Sequence, residues 1–241
     1  MKRPGAECHN LAAMSVQSSL LVVVPAYNEG RVIGATVDGL LSAGYRVVVV
    51  DDGSSDDTGD VRRLPVVYLR HPVNLGQGAA LQTGMTYALR AGAQIVVHFD
   101  ADGQHDCRQI ESLVAPIVEG RADVVLGSRF LRKADARRVP LKKRLMLKGG
   151  ILVSWVMTGL LLSDTHNGFR ALSRRALERI QLQENGFAHA TEILQRVREA
   201  GLRYVEVPIT ITYTEYSQLK GQKISGSLSI LFDLVMSKLT K

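Results

Sequence analysis

Short apolar runs rich in β-branched residues recur along this chain, and most end in a polar loop. Residues 20–24, 46–50, 66–69, 96–99 and 123–126 read as buried strands. Pro25 is expected to end the first of them. Val32, Ile33, Val37, Leu40 and Leu41 fall at helical spacing, with Gly44 as the stop. Further helices are expected from about 74 to 91, stopped by Gly92, and over 110–119. Strands alternating with helices predict an α/β domain whose sheet is covered on both faces. Downstream, 167–172 reads as a strand, and 173–180 and 191–200 as helices. Residues 204–212 read as a strand that Pro208 places at an edge. Ile224, Leu228, Leu231, Val235 and Leu239 form an apolar stripe, the mark of an amphipathic helix.

The loops that follow the strands carry the polar chemistry. In an open α/β sheet that edge is where ligands bind. Asp100 and Asp102 leave the fourth strand at alternate positions, and Gln104 follows in the same loop. Hard divalent cations take such oxygen ligands and often bridge them to substrate phosphates; a solvated Asp-Gly turn is the plainer alternative. Pro25-Ala26-Tyr27-Asn28-Glu29 follows the first strand without the glycine fingerprint of a dinucleotide-binding dehydrogenase. Its tyrosine and carboxylate suit a nucleobase, or else Asn28 caps a helix. Asp51-Asp52-Gly53-Ser54 can meet ribose or base, while Asp56-Asp57-Thr58 supplies a helix cap with an acidic first turn. Gly76-Gln77-Gly78 brings amides toward a phosphate, or permits close helix packing.

Composition narrows the classes. Formal net charge is +7, which suits a nucleic acid, an anionic membrane or a phosphate-bearing substrate. Aromatic residues are only 5%, so a base-stacking platform is not expected. Two cysteines, Cys8 and Cys107, make no disulfide framework, which fits a reducing cytoplasm. Residues 1–18 read as a flexible tail without the apolar run of a signal peptide. Residues 132–148 are strongly basic, and 151–162 are almost wholly apolar. As a helix the apolar stretch reaches about 18 Å, short of a hydrocarbon core of ~30 Å. It is either a buried helix or one lying in a membrane interface beside its basic flank.

Taken together, these pieces resemble family 2 glycosyltransferases of the GT-A fold. The resemblance covers about residues 20–225 and adds Gly127-Ser128-Arg129 to the loops above. Within the family the chain is most similar to the polyprenyl-phosphate hexose synthases. That closer likeness rests on Asp100-Ala101-Asp102-Gly103-Gln104-His105, Asp164-Thr165-His166-Asn167-Gly168-Phe169-Arg170 and Lys220-Gly221-Gln222-Lys223. It implies one Rossmann-like, mainly parallel sheet over 19–215, followed by a basic loop and amphipathic helix over 216–241. It also implies nucleotide-sugar contacts from Pro25, Ala26, Tyr27, Glu29, Asp51, Asp52, Gln77, Asp100 and Ala101. Asp100, Asp102 and Gln104 would ligate Mg²⁺ or Mn²⁺. Arg129, Arg170, Lys220 and Lys223 would meet the acceptor phosphate, and Asp102, Asp164, Arg129 and Arg170 would form the catalytic set. Gln77 departs from the family, standing where many relatives carry lysine.

The reaction implied is inverting transfer of a hexose from a UDP- or GDP-sugar to a polyprenyl phosphate. The expected setting is peripheral, on the cytoplasmic face of a membrane, with a membrane surface or a small membrane protein as partner and no nucleic acid. The alternative acceptor is a saccharide hydroxyl. A hydroxyl needs a general base, for which Asp164 and Glu192 are candidates, whereas a lipid phosphate is already ionised. Glu192 also reads as a first-turn helix carboxylate with Thr191 as cap.

Overall fold

The computed structural model describes residues 19–132, 151, 155–156, 158–165, 167–186 and 188–212. The expected tail, most of the basic run, residues 152–154 and 157, His166, Lys220, Lys223 and the C-terminal stripe lie outside the described residues.

Seven strands form one sheet. They are β1 (Leu20–Ala26), β2 (Arg46–Asp51), β3 (Val67–Arg70), β4 (Ile95–His98), β5 (Val124–Ser128), β6 (Arg170–Ser173) and β7 (Tyr204–Pro208), in spatial order β3-β2-β1-β4-β6-β5-β7. All pairs are parallel except those of β6, which runs antiparallel between β4 and β5. Pro25 does not end β1: Pro25 pairs with Val50 and Ala26 with Asp51. Pairing with β4 stops at Val23 opposite His98, so the N–H that proline lacks falls where β1 has one neighbour. β7 is the edge strand that Pro208 predicts, but it ends on Pro208 rather than continuing to residue 212.

Side chains alternate across the sheet, so each apolar run feeds two cores. Val22, Val24, Val47, Val49 and Val97 pack on one face with α1 (Ile33–Ser42) and α3 (Ile110–Val118). Leu21, Val23, Val48, Val50 and Val96 pack on the other with α2 (Gln77–Arg90), α4 (Arg174–Arg179) and α5 (His189–Glu199). Burial on both faces explains why the strands read as continuous apolar runs rather than alternating ones.

At the edge of the sheet away from the polar loops, Asp123 fastens the start of β5 to the start of β7. Its oxygens accept from Arg203 Nε (3.1 Å), Arg203 Nη2 (3.1 Å) and the Arg203 amide (2.9 Å). These hydrogen bonds hold the Asp123 carboxyl below the usual carboxylate range. A depressed pKa stabilises the fold above the unfolded value, near ~3.9, and that stabilisation is lost as pH falls through the folded value. Asp123→Asn is therefore expected to lower stability at neutral pH, with the difference from wild type shrinking below about pH 4. Urea unfolding at a series of pH values checks this; a difference independent of pH would contradict it.

Candidate active site

The loop after β4 is built around a half-buried carboxylate, Asp100. Phe99 and Ala101 point into the core, which turns Asp100 and Asp102 toward the site. Asp100 Oδ1 accepts from Gln77 Nε2 (3.1 Å), and Oδ2 lies 3.3 Å from His105 Nε2. The His105 ring is held in turn by Phe169, stacked at 4.8 Å between centroids, and by the edge of Phe99. Gly168 leaves room for the carboxylate, since a Cβ there would stand 2.4 Å from Asp100 Oδ2. Burial pushes the Asp100 pKa up, but the His105 hydrogen bond and the nearby charge of Arg170 outweigh it and hold it low. Asp102 moves the other way. Burial and the negative charge of Asp100 raise it, and the Gln104 amide donating to Oδ1 (3.0 Å) offsets only part of that. Glu29 adds a third negative charge to the same field.

The loops after β1, β2 and β3 are tied to one another. Asn28, at φ +53°, does not cap α1. Instead its amide donates to Ser54 Oγ (2.9 Å), and its Oδ1 accepts from the Ser55 amide (2.9 Å). Asp56 is the cap its sequence predicts, accepting from the Thr58 amide. Asp51 is wholly buried, with Ser54 N and the Tyr68 hydroxyl on its oxygens. Asp52, also buried, accepts from the Leu75 and Gly76 amides (2.9 and 2.7 Å) and meets His71 Nδ1 at 2.7 Å. His71 Nε2 continues to Thr83 Oγ1 at 2.9 Å. Of the expected nucleotide-sugar contacts, Pro25, Ala26 and Ala101 line the buried strand ends and Tyr27 stands out at 45% exposure.

The Gly-Gln-Gly turn packs rather than opens. Gly76, at φ +105°, lies so close to the 184–186 segment that a Cβ would sit 2.3 Å from Asn185 O. The Gly78 amide donates to that same carbonyl at 2.7 Å. Of the two readings of this turn, close packing is the one observed, and Gln77 is the residue it aims at the site. Glu192 fixes the opposing segment: its oxygens accept from the Gln183 and Glu184 amides at 2.9–3.0 Å. It does lie in the first turn of α5, but Thr191 is not the cap, since that helix begins at His189.

The loops after β5 and before β6 bring a second constellation to the same edge. Arg129 is buried and paired in a fork with Asp164, Nε to Oδ2 at 2.6 Å and Nη2 to Oδ1 at 2.7 Å. Its amide also donates to Asp164 Oδ2 (3.1 Å). Arg170 is buried too; its Nε donates to Asn167 O (2.9 Å). Burial lowers the Arg170 pKa to about 10, opposed by the charges of Asp100 and Asp164, so it remains a cation at neutral pH. Cross-strand from it lies His98, whose ring nitrogens have no hydrogen-bond partner among the described residues. Burial first, then Arg170, push His98 down to about 3 and His189 to about 4. Both rings are neutral at pH 7, so arginine supplies the positive charge.

The model of glycosyl transferase family 2 matches residues 21–181. The chain belongs to that family. Over 227 residues this glycosyltransferase is 37% identical to the uncharacterized protein MJ1222 of Methanocaldococcus jannaschii, covering 92% of this chain and 93% of that one. It is 31% identical to the UDP-N-acetylglucosamine–dolichyl-phosphate N-acetylglucosaminyltransferase of Methanococcus voltae (92% and 97% covered). The polyprenol monophosphomannose synthase of Mycolicibacterium smegmatis is 32% identical (86% and 81%). Among solved structures, S. aureus TarS 1–349 in complex with UDP superposes with a TM-score of 0.56 at 19% identity, over 81% of this chain and 60% of that one. That likeness shows the GT-A fold.

In this glycosyltransferase Asp100, Gln77, His105, Gly168 and Arg170 come together, as do Arg129 and Asp164. His71 is a partner that strand and loop patterns do not reveal, because its contact with Asp52 joins residues 19 apart in the chain. Among the described residues no three His, Cys, Asp or Glu side chains form a metal cage. Asp100 and Asp102, the second raised by the charge of the first, are of the oxygen chemistry that a hard cation takes. Gly168→Ala tests how closely Asp100 is held. Overpacking of this kind costs about 1–3 kcal/mol of stability; displacement of Asp100 is separately expected to lower donor turnover roughly tenfold or more. Steady-state kinetics with a melting curve on the same sample would measure it; unchanged turnover would show that Asp100 tolerates displacement.

Proposed function

We propose that this glycosyltransferase moves a hexose from a nucleoside diphosphate onto a polyprenyl phosphate, with inversion, at the cytoplasmic face of a membrane. The observation that carries the choice of acceptor is the engagement of the candidate bases. Asp164 gives both oxygens to Arg129, and Glu192 gives both to backbone amides. A saccharide hydroxyl would need one of them to take its proton; a phosphate oxygen needs neither. The names of the relatives, which transfer to dolichyl or polyprenol phosphate, support the same reading.

Tyr27 and Glu29, with the loop that Asp52 organises, hold the nucleoside. Asp100, Asp102 and Gln104 hold Mg²⁺ or Mn²⁺, which when bound supplies positive charge to the diphosphate. As the sugar–phosphate bond breaks, negative charge grows on the nucleotide. Arg129 and Arg170 lie preorganised and desolvated, where such stabilisation is worth most. The acceptor oxygen attacks from the side opposite the leaving group, which inverts the anomeric carbon. Among the described residues no helix is long and apolar enough to cross a membrane. Leu131 (46%), Trp155 (47%), Val156 (73%) and Leu161 (75%) are exposed large apolar residues that flank or follow the basic run. They provide peripheral attachment, with anionic headgroups attracting the lysines and arginines.

The deciding experiment incubates the protein and Mg²⁺ or Mn²⁺ with UDP- and GDP-sugars, with and without undecaprenyl phosphate, and follows products by mass spectrometry. A lipid-phosphate sugar is expected from wild type, reduced by about 100-fold or more in Asp102→Ala, equivalent to ~2.7 kcal/mol of barrier. Donor turnover that needs a saccharide instead would replace the acceptor. In vesicle flotation at low salt, Trp155→Ala with Val156→Asp is expected to weaken binding to anionic vesicles. Equal flotation of variant and wild type would remove these residues from the attachment surface.

A further inference from the structure

We infer that Glu206, on the edge strand, is a positioning residue for the reaction: it holds the turn that presents Asp164 to Arg129. The inference rests on the reading that Arg129 meets phosphate in the reaction proposed above. Glu206 lies in β7 opposite Leu126 of β5, on an edge where a carboxylate would ordinarily be left to solvent. Here it reaches across the end of β5 to the 163–164 turn. Both of its oxygens stand 3.0 Å from the Ser163 amide; Oε1 also accepts from Ser163 Oγ at 2.8 Å and from the Asp164 amide at 3.2 Å.

The consequence is felt at Arg129 by two routes. An aspartate in a turn readily folds its side chain back onto nearby amides. Glu206 occupies the amides of Ser163 and Asp164, so both Asp164 oxygens are left for the Arg129 fork. The second route runs through hydroxyls. Ser163 Oγ lies 2.6 Å from Ser128 Oγ, which accepts from the Phe130 amide at 3.1 Å. Residues on both sides of Arg129 are therefore tied to the turn that Glu206 holds. A glutamine could keep one acceptor but would set an NH₂ group against amide donors.

Three full-length variants, Glu206→Ala, Glu206→Gln and Ser163→Ala, would be compared with wild type for lipid-product kinetics and for amide hydrogen exchange by mass spectrometry. Small displacements of a positioned group cost rate steeply, so kcat of Glu206→Ala is expected to fall roughly 10- to 100-fold with donor KM within about twofold. Glu206→Gln should recover part of the loss. Combining Glu206→Ala with Asp164→Asn should cost less than the product of the single effects, because both act through one fork. Exchange should quicken at 163–165 and also at 128–130. Faster exchange at 163–165 alone, with kcat unchanged, would make Glu206 a turn cap and overturn the inference; so would full additivity with Asp164→Asn. If Glu206→Ala does not fold, Glu206→Gln and Ser163→Ala carry the same comparison. If wild type makes no lipid-linked sugar, the role of Arg129 in transfer fails, while exchange at 128–130 still decides whether Glu206 sets that segment.

Discussion

A carboxylate drawn partly out of water keeps its charge most firmly where donors and a counter-charge surround it. Asp100 is that carboxylate in this protein, and most of the site can be read as the means of keeping it charged. Gln77 arrives on the first turn of α2, His105 is clamped by two phenylalanines, and Gly168 withholds a side chain. Arg170 adds charge from the antiparallel strand. His105 shares a loop with Asp100, and Gly168 and Arg170 share another segment, but these two segments and Gln77 lie far apart in the chain. The requirements of one carboxylate thus draw together the glycine turn, the loop after β4 and the entry to β6.

The two ends of the site are electrostatically opposed. Around Asp102 negative charges crowd, and its own carboxyl is pushed upward by Asp100. Around Arg129 a carboxylate is matched to a guanidinium in a bidentate fork. The neighbouring histidines are neutral because burial and Arg170 drive their protons off. A neutral lining lets the arginines act without competition from titrating groups.

Much of the architecture was legible in the chain because it is local. Strands buried on both faces are continuous apolar runs, Gly44 and Gly92 stop helices at positive φ, and Pro208 marks an edge. Asp100, Asp102, Arg129 and Asp164 could be nominated for the same reason: they sit just beyond strands or in short diagnostic strings. What they touch was not legible. Asp52 turned out to organise 75–76 through contacts 23 and 24 residues away, and Arg129 finds Asp164 at a separation of 35. Local periodicity carries no information about such pairings. The direction of β6 was hidden likewise, since a short apolar strand looks the same read either way.

That reversed strand has a bearing on how the protein is made. β1, β2, β3 and β4 come from consecutive units whose pairing needs nothing downstream. The other flank of β4 is closed only by residues 170–173, and β5 waits for the same residues before it joins the sheet. A chain halted on the ribosome between Ser128 and Arg170 therefore holds four paired strands with an unpaired, apolar flank on β4, the kind of edge that recruits other chains. Synthesis of the short strand at 170 is the event that seals that edge and brings Arg170 beside Asp100 in one step.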